Sequence, residues 1–471
     1  MFKKNIAFST ATAFFQLYNG SVILILLIKI LDIHEFGEVA FGISLSGIIS
    51  TFGEFGFSLM AIRDIPQKKF KLSSYVYNVL SQKTILNIIV LIFGFIYLFL
   101  FYKNQVNFNV KLVFLINGII LSFCGYFTAL LQSINKFKSE TRAVFITSIL
   151  LTILVFSLTK FTMPLIYFSF FFILINFIKL ILLIYSSQKM LFLKTQKIEK
   201  NIQIYLSKNA WSFGLHFIMG VLYFSIDAQI IYKILGNEQL AIYNSAFRIA
   251  SISLIFTNIL MQVFQPYLAS IILEKRQKFD KLVILLLNSF LFIICSFSVI
   301  VLLFNKTLIL FLYKKQYLSA SFLLLPLLIM CILRGIALVY GMLLTLSDNQ
   351  LYRVKAIFIS LVINVVSNFF LIPIFGIKGA AFSTLITHLV LAGAYIYIVQ
   401  KQNSFFYVNK YSFFILIFTL VSILLIFIIN NVLITSLLLL LFSIAISGLF
   451  HKNIKIALDV FLKSKSLETL I

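Results

Sequence analysis

Apolar runs of about 20 residues follow one another along almost the whole chain, and each is long enough to cross a bilayer as a helix. Of the 471 residues, 61% are hydrophobic and only 11% are charged, and the mean hydropathy is +1.07. A water-soluble protein of this length needs far more charged surface than this composition supplies. The sequence therefore predicts an all-α polytopic membrane protein and excludes the water-soluble globular classes.

Hydropathy, divided at clusters of charged and turn residues, predicts about fourteen transmembrane helices. Their approximate limits are 6–28, 39–61, 84–102, 112–134, 143–159, 164–185, 210–232, 240–271, 282–304, 317–346, 356–374, 379–399, 411–429 and 432–450. The first run begins after Lys3 and Lys4 and has no small-residue cleavage pattern, so we expect a spanning helix rather than a signal peptide. The three cysteines fall inside apolar runs, and neither a metal site nor another cofactor is expected.

Most lysines and arginines fall in alternate loops, on the side of the membrane that carries the N-terminus. Under the positive-inside rule, this bias predicts that both termini are cytoplasmic. The net charge of +25 is explained by attraction of these loops to anionic membrane lipids, about 1 kcal/mol per basic residue. Membrane lipids are therefore the expected partners, and nucleic acid is not.

Two pairs of similar segments indicate an internal repeat. RAVFITSIL at 142–150 resembles KAIFISLVI at 355–363, and LDIHEFGEVA at 31–40 resembles LGNEQLAIYN at 235–244. Six predicted helices separate the members of each pair, which predicts two six-helix lobes of the same orientation with a substrate cleft between them. The expected divisions are an N-terminal lobe at 1–187, a Lys-rich cytoplasmic linker at 188–209, a C-terminal lobe at 210–400, and two further helices with a cytoplasmic tail at 401–471. Apolar residues within the linker predict a helix lying on the membrane surface.

Three segments carry a resemblance to a known family: LDIHEFGEVAFGIS, LGNEQLAIYNSAFRIA and LIPIFGIKGAAFST. Together they resemble the polysaccharide-transport family of bacterial flippases, which includes the Wzx-type O-antigen flippases. Its superfamily, the MOP superfamily, also holds the MATE drug exporters and the lipid II flippase MurJ. One departure from the family pattern is Ala241, which stands where the family has glycine.

The resemblance implies a V-shaped fold of two lobes and an alternating-access mechanism. The implied substrate is an undecaprenyl-diphosphate-linked oligosaccharide, moved from the cytoplasmic to the periplasmic leaflet of the bacterial inner membrane for O-antigen or capsule synthesis. The polysaccharide polymerase and chain-length machinery are the protein partners that this role implies.

Charges inside the predicted helices cost roughly 2.5–3.5 kcal/mol each on insertion scales, so each needs a partner or a function. Arg334 has no acidic neighbour within its predicted helix, which favours a water-filled cleft or an anionic substrate. Arg248 either forms a salt bridge with Asp227 on the adjacent helix or faces the cleft and binds the diphosphate. The planar guanidinium fork suits the second role because it holds two phosphate oxygens at once.

Four further charge assignments follow from position along the chain. Arg63 and Lys179 are additional candidates for binding the diphosphate, although Lys179 lies close enough to the end of its helix for its ammonium group to reach the surface. Glu54 and Asp227 are candidates for ion coupling or for charge pairs.

A MATE-type multidrug or cation antiporter is the alternative function. Such a protein would favour an acidic cleft and about twelve helices, whereas the deep charges here are mostly basic. The sequence shows neither a nucleophile–base constellation nor a sizeable loop for a catalytic domain. We therefore expect a transporter rather than an enzyme.

Overall fold

The structure of the protein is a computed structural model that describes residues 2–105, 107–161, 163–188, 197–271, 276–346, 350–403 and 407–429. Across these ranges the chain is helical and contains no strand. The helices are α1 (Phe2–Leu17), α2 (Ile23–Ile30), α3 (Ile33–Glu54), α4 (Phe57–Asp64), α5 (Leu72–Tyr102), α6 (Phe108–Ser133), α7 (Phe137–Ser157), α8 (Leu165–Ser187), α9 (Lys200–Leu235), α10 (Asn237–Ile271), α11 (Arg276–Leu303), α12 (Asn305–Leu312), α13 (Ser321–Leu346), α14 (Gln350–Phe375), α15 (Ile377–Asn403) and α16 (Lys410–Ile429). A π-helical turn at Tyr18–Val22 joins α1 to α2.

The helices confirm the predicted all-α membrane fold. In the described part of the chain, eleven helices are long and apolar enough to cross a membrane. The number rises to twelve when the two parts of α9, which bends by 45° between Leu222 and Ser225, are taken as one span. The helix predicted at 411–429 corresponds to α16, and the one predicted at 432–450 lies outside the described residues. The count of fourteen therefore stays a prediction.

The second predicted span is broken in the structure. Where the sequence predicted one helix at 39–61, α3 ends at Glu54 and α4 begins three residues later. Phe55 and Gly56 have φ angles of 42° and 79°, in the left-handed region that ends a helix. The Glu54 carboxylate then accepts a hydrogen bond from the backbone N–H of Ser58 at 2.9 Å, and so caps the start of α4.

Contacts divide the chain into two compact units. Unit 1 consists of Met1–Ser245 and Ile357–Ser383, and unit 2 consists of Ala246–Ala356 and Thr384–Ile471. Unit 1 thus contains α1–α9, the start of α10, most of α14 and the start of α15. The divisions expected from the internal repeat have different limits, and they stay a prediction.

The core of unit 1 contains a close contact between α3 and α6. A Cβ atom added to Gly42 would lie 2.2 Å from the ring of Phe114, and one added to Gly118 would lie 2.6 Å from Cβ of Ile49. The hydroxyl of Ser46 donates a hydrogen bond to the carbonyl of Phe114 at 2.6 Å. Small residues therefore let the two backbones approach closely, as is typical of helix contacts within membranes.

The second half of the expected linker forms the start of α9 and packs into unit 1. Ile202 and Leu206 are buried in a core cluster with residues of α5 and α6. A row of polar residues on α5 faces a polar row that precedes and begins α9, with hydrogen bonds that join Ser74 to Glu199, Asn78 to Gln203 and Gln82 to Ser207. From Lys200 onward, a docked helix therefore replaces the expected surface helix, whereas 189–196 lie outside the described residues.

Unit 2 is packed around α13. Gly335 on α13 receives the side chain of Ile294 from α11, whose Cδ1 atom lies 2.4 Å from the position of an added Cβ. The thiol of Cys331 donates a hydrogen bond to the carbonyl of Ala250 on α10 at 3.3 Å. These contacts place α10, α11 and α13 side by side.

Polar contacts attach α16 to unit 2. The hydroxyl of Ser412 hydrogen-bonds to the side chain of Asn288 on α11. Just before α16, the hydroxyl of Tyr407 donates to the carboxylate of Asp280 at 2.8 Å. Hydrogen bonds of this kind hold helices together where the surrounding lipid is as apolar as the side chains.

The α3–α6 contact predicts a loss of stability for Gly42→Ala. The added methyl group would overlap the Phe114 ring, and overpacking of this kind costs about 1–3 kcal/mol. Chemical denaturation of the purified protein in detergent measures this loss. The matched control is Gly393→Ala on α15, where nothing lies within 4 Å of an added Cβ. Equal stability of the two variants would contradict the tight contact.

Candidate functional site: charges within the helices

Arg248 and Arg334 lie on two neighbouring helices of unit 2, α10 and α13. The hydrogen bond from Cys331 to Ala250 fixes the relative height of these helices. Arg248 precedes Ala250 by two residues, and Arg334 follows Cys331 by three. Because predicted spans 8 and 10 run in the same direction, the helical rise separates the two arginines by about 7.5 Å along the helix axes.

The side chains around these arginines come from several helices of unit 2. Arg334 is half-buried and interacts electrostatically with His388 and Tyr395 on α15. Arg248, also half-buried, interacts with Tyr313. Each arginine thus lies close to an imidazole or phenol group of unit 2.

A third arginine of unit 2, Arg353 on α14, contacts the end of α13. The Arg353 guanidinium donates a hydrogen bond to the hydroxyl of Thr345 at 2.8 Å and also bonds to Tyr395. Gly341 makes room for it, because an added Cβ would lie 3.0 Å from the Tyr395 ring and 3.6 Å from Nε of Arg353. Arg353 falls in a loop between the predicted spans at 317–346 and 356–374, and the structure places it at the start of α14.

Asp227 lies in unit 1, buried on α9. The side-chain amide of Asn368 on α14 donates to its carboxylate at 2.7 Å, and the same amide donates to Asn364 at 3.1 Å. The hydroxyl of Ser383 on α15 donates to the backbone carbonyl of Asn364 at 3.1 Å. Asp227 therefore belongs to a polar group drawn from three helices, and its predicted pairing with Arg248, which belongs to unit 2, stays a prediction.

Glu54 forms a buried ion pair with Lys83 of α5. The Lys83 ammonium group has three acceptors: the Glu54 carboxylate at 2.9 Å, the Gly53 carbonyl at 3.0 Å and the Ser122 hydroxyl at 2.8 Å. Both charged side chains are almost inaccessible to solvent. All three ammonium donors are used, so the pair meets the condition under which a charge is tolerated in a low-dielectric interior.

A second buried ion pair joins Lys111 of α6 to Glu38 of α3 at 2.9 Å. Hydropathy placed both Lys83 and Lys111 in loops, because each lies within one residue of the edge of an apolar run. The one sequence signal for Lys83 is that polar residues flank it on α5: Asn78 and Gln82 before it and Asn87 after it. For Lys111 we find no comparable signal.

The two remaining sequence candidates have partners within unit 1. Arg63 donates to the Asp64 carboxylate at 2.7 Å and to the Tyr205 hydroxyl at 2.8 Å, and its guanidinium lies 4.7 Å from the ring centroid of Phe213. Lys179 is half-buried and interacts electrostatically with Glu140. The structure therefore places Arg248 and Arg334 on neighbouring helices of unit 2, and Arg63 and Lys179 in unit 1.

Solved membrane transporters share this fold. Lipid II flippase MurJ in its inward closed conformation matches with a TM-score of 0.73 at 18% identity, covering 95% of this chain and 100% of that chain. An inward-facing multidrug resistance MATE family transporter of the MOP superfamily matches with a TM-score of 0.66 at 14% identity, covering 83% and 96%. A MOP superfamily transporter from Pyrococcus furiosus matches with a TM-score of 0.58 at 14% identity, covering 85% and 95%. The chain thus has the fold of MOP-superfamily membrane transporters.

The family follows from the sequence itself. The family described as "Polysaccharide biosynthesis protein" matches residues 2–272, more than half of the chain. This protein belongs to that family, as the resemblance in its three motifs indicated. No curated protein sequence matches it.

The Lys83–Glu54 pair predicts strongly non-additive stability effects. Lys83→Met or Glu54→Gln alone should lower the free energy of unfolding by about 3–5 kcal/mol, because each leaves a buried charge without its partner. The double variant should lose much less than the sum of the two single losses, since it buries no charge at this site. Denaturation of all four proteins in detergent measures the coupling. Simple additivity would show that the two side chains do not form a pair.

Proposed function

We propose that this protein is a flippase that moves an undecaprenyl-diphosphate-linked oligosaccharide from the cytoplasmic to the periplasmic leaflet by alternating access. The observation that carries the proposal is the pair of half-buried arginines, Arg248 and Arg334, on adjacent helices of unit 2. Membership of the polysaccharide biosynthesis family supports a lipid-linked saccharide as the cargo. The product would serve O-antigen or capsule synthesis.

The two arginines suit the diphosphate because of their chemistry and spacing. Each guanidinium presents a fork of N–H donors that matches two phosphate oxygens and stays charged in a low-dielectric interior. A height difference of about 7.5 Å lets two arginines reach neighbouring phosphates of one diphosphate through their long side chains. The apolar lipid tail would remain in the bilayer, so only the charged and sugar parts need a polar route.

Arg63 and Lys179 have supporting roles in this proposal. Arg63 is 32% exposed and lies on α4, at the predicted cytoplasmic end of the second span, where the substrate would first be met. Two nitrogen atoms of its guanidinium, Nε and Nη2, already donate to Asp64 and Tyr205. Lys179 would contribute positive charge near the same membrane face.

The positive-inside bias supports an orientation with both termini in the cytoplasm of a bacterium and the chain in its inner membrane. On that orientation, Arg353 and Arg63 lie towards the cytoplasmic face, and Arg334 lies deeper. The polymerase and chain-length machinery would take over the oligosaccharide after it reaches the periplasmic leaflet.

Asp227 is the better of the two candidates for ion coupling. Protonation of Glu54 would leave Lys83 buried without its counter-charge, a change that costs several kcal/mol. The side-chain amide of Asn368, which donates to Asp227 at 2.7 Å, can also bond to a protonated carboxyl group. The ion pair with Lys83 therefore makes Glu54 the weaker candidate, and Asp227 is the one to test first.

Arg334→Ala tests the flippase proposal. In a host lacking its own copy of the gene, the wild-type protein should restore glycan to the periplasmic leaflet. Arg334→Ala should lower the flipping rate about 10- to 100-fold, because charge-assisted hydrogen bonds contribute about 1.5–3 kcal/mol. The measurement is a leaflet-specific assay of the lipid-linked glycan.

Lys355→Ala is the matched control, since this exposed lysine of α14 lies close in sequence to Arg353 and outside the proposed site. Arg334→Lys should rescue only partly, because an ammonium group has no fork. If surface glycan is unchanged by removal of the gene, and no redundant flippase is present, the proposal fails. Export of cationic drugs, the MATE-type alternative, would then be tested in the same strains.

Asp227→Asn tests the coupling assignment. The substitution keeps the shape of the side chain and removes its charge, so flipping in proteoliposomes should lose its response to an imposed proton or sodium gradient. Binding of undecaprenyl diphosphate should stay within about twofold of wild type. Glu54→Gln serves as the comparison, and a variant of Asp227 that keeps the full gradient response would exclude this residue as the coupling group.

A further inference from the structure

The contact between α3 and α9 in unit 1 is closed near both ends by a buried carboxylate and a tyrosine of α9. At one end, the hydroxyl of Tyr232 donates to Glu38 at 2.6 Å. At the other end, the hydroxyl of Tyr205 donates to Asp64 at 3.1 Å. Asp64 belongs to α4, the helix that follows α3. The two tyrosines are 27 residues apart in α9, about 40 Å of helix, which exceeds the hydrocarbon thickness of a bilayer. They therefore lie at opposite faces of the membrane.

The Tyr232 end is sealed from water. Glu38 also accepts hydrogen bonds from Lys111 at 2.9 Å and from the side-chain amide of Asn237 at 3.2 Å. Exposure is 3% for Glu38, 0% for Lys111 and 5% for Tyr232. The ring of Phe41 packs against that of Tyr232, with centroids 4.1 Å apart, and covers the cluster.

Gly37 lets the backbone at the start of α10 approach α3 at this end. A Cβ atom added to Gly37 would lie 2.1 Å from the carbonyl oxygen of Asn237. No relaxation of a flexible side chain can relieve such an overlap, because the opposing atoms belong to the backbone. Closure at the Tyr232 end therefore requires glycine at this position.

The Tyr205 end also has a buried carboxylate that accepts hydrogen bonds from a tyrosine and from a cation. Asp64 is 1% exposed and accepts from Arg63 and Tyr75 as well as from Tyr205, and Lys69 lies 3.5 Å away. Unlike Lys111, the cations here are partly exposed, at 32% for Arg63 and 39% for Lys69. Water therefore reaches the Tyr205 end more easily.

The placement of the charges favours release of both contacts. At each end the carboxylate and its cations precede α9 in the chain: Glu38 with Lys111, and Asp64 with Arg63 and Lys69. The group that α9 donates to each carboxylate is an uncharged phenol. Separation at the Tyr232 end would therefore break neutral-donor hydrogen bonds, which water can replace, and would leave no buried charge without its counter-charge. Separation at the Tyr205 end would in addition break the hydrogen bonds between α5 and the start of α9 and expose Ile202 and Leu206.

We propose that Tyr232 and Tyr205 are alternating latches that fasten α9 to the first half of the chain at opposite membrane faces. Release of Tyr232 from Glu38 opens one face, and release of Tyr205 from Asp64 opens the other. Both latches are closed in this structure. The inference rests on the proposed alternating-access function and adds to it the residues that close each face.

Thiol labelling tests the Tyr232 latch in purified protein without substrate. Ser44 lies on α3, six residues further into the helix than Glu38, and its hydroxyl donates to the backbone carbonyl of Ser225 on α9 at 2.9 Å. A cysteine at this position, Ser44→Cys, therefore becomes accessible to a water-soluble reagent when α9 separates from α3. The three native cysteines are buried and give little background. A charged, water-soluble maleimide should label the reporter about tenfold faster in the Tyr232→Phe background, since one hydrogen bond to a charged acceptor is lost.

Gly37→Ala should have the same effect by a steric route, without removing any polar group. Gly220→Ala on α9 is its control, because nothing lies within 4 Å of an added Cβ there. Tyr205→Phe should not raise labelling of the reporter, since it releases the opposite face. Tyr167→Phe, at a side chain 56% exposed, controls for loss of a phenol hydroxyl.

Equal labelling in Tyr232→Phe and Tyr167→Phe would overturn the proposal and make the Glu38 cluster a permanent structural contact. If Gly37→Ala does not fold, Tyr232→Phe alone decides the outcome. The labelling result is independent of the leaflet assay with Arg334→Ala, because it needs no glycolipid. Failure of the latch and failure of the flippase proposal are therefore distinguishable.

Discussion

Burial of charge in a medium that cannot solvate it is the constraint on which unit 1 depends. Three carboxylates of α3 and α4, those of Glu38, Glu54 and Asp64, are almost fully buried. Each has a lysine or arginine at hydrogen-bonding distance and further donors from hydroxyl, phenol, amide or backbone N–H groups. Because an unpaired charge at these positions would cost several kcal/mol, the pairs of Glu38 with Lys111 and of Glu54 with Lys83 fix how α3 sits against α6 and α5.

Small residues make those pairs geometrically attainable. The ion pair of Lys83 requires the backbone at Gly53 to lie beside α5, and a Cβ atom there would lie 2.2 Å from the side chain of Asn87. Gly125 similarly faces the carboxylate of Glu54, at 3.1 Å from an added Cβ. Glycine therefore has two linked effects in this chain, since the close approach that it permits also brings buried donors within reach of buried acceptors.

Periodicity and hydropathy predicted the membrane helices well because the bilayer imposes one length and one polarity on every span. Proline followed by two glycines, at Pro373, Gly376 and Gly379, is a turn signal in the sequence. The structure has a turn there: Gly376, with a φ of 60°, follows the end of α14, and a Cβ added to Gly379 would lie 2.1 Å from the Leu371 carbonyl. The break at Phe55 and Gly56 was not foreseen. Phenylalanine gives no turn signal, and glycines within an apolar run are common in membrane helices.

The buried lysines were missed for a different physical reason. Hydropathy assigns a charge at the edge of an apolar run to a loop. An ammonium group on a long flexible side chain can instead point into the protein interior when hydrogen-bond acceptors are present there. Lys83 and Lys111 do so: Lys83 contacts Glu54 and Ser122, and Lys111 contacts Glu38. The polar residues around Lys83 in the sequence are a weak sign of this, and Lys111 has no such sign. Sequence alone identified the deep arginines because Arg248 and Arg334 lie far from any edge.

The carboxylates that surround the cations of unit 1 bear on where an anionic substrate would bind. Lys83, Lys111 and Arg63 each contact a carboxylate, so their charge is largely neutralised. A diphosphate at any of these three cations would have to compete with a carboxylate that is already bound there, and burial makes the loss of such a pair costly. The flippase proposal therefore assigns the diphosphate to Arg248 and Arg334 of unit 2, and unit 1 would supply the movable closures.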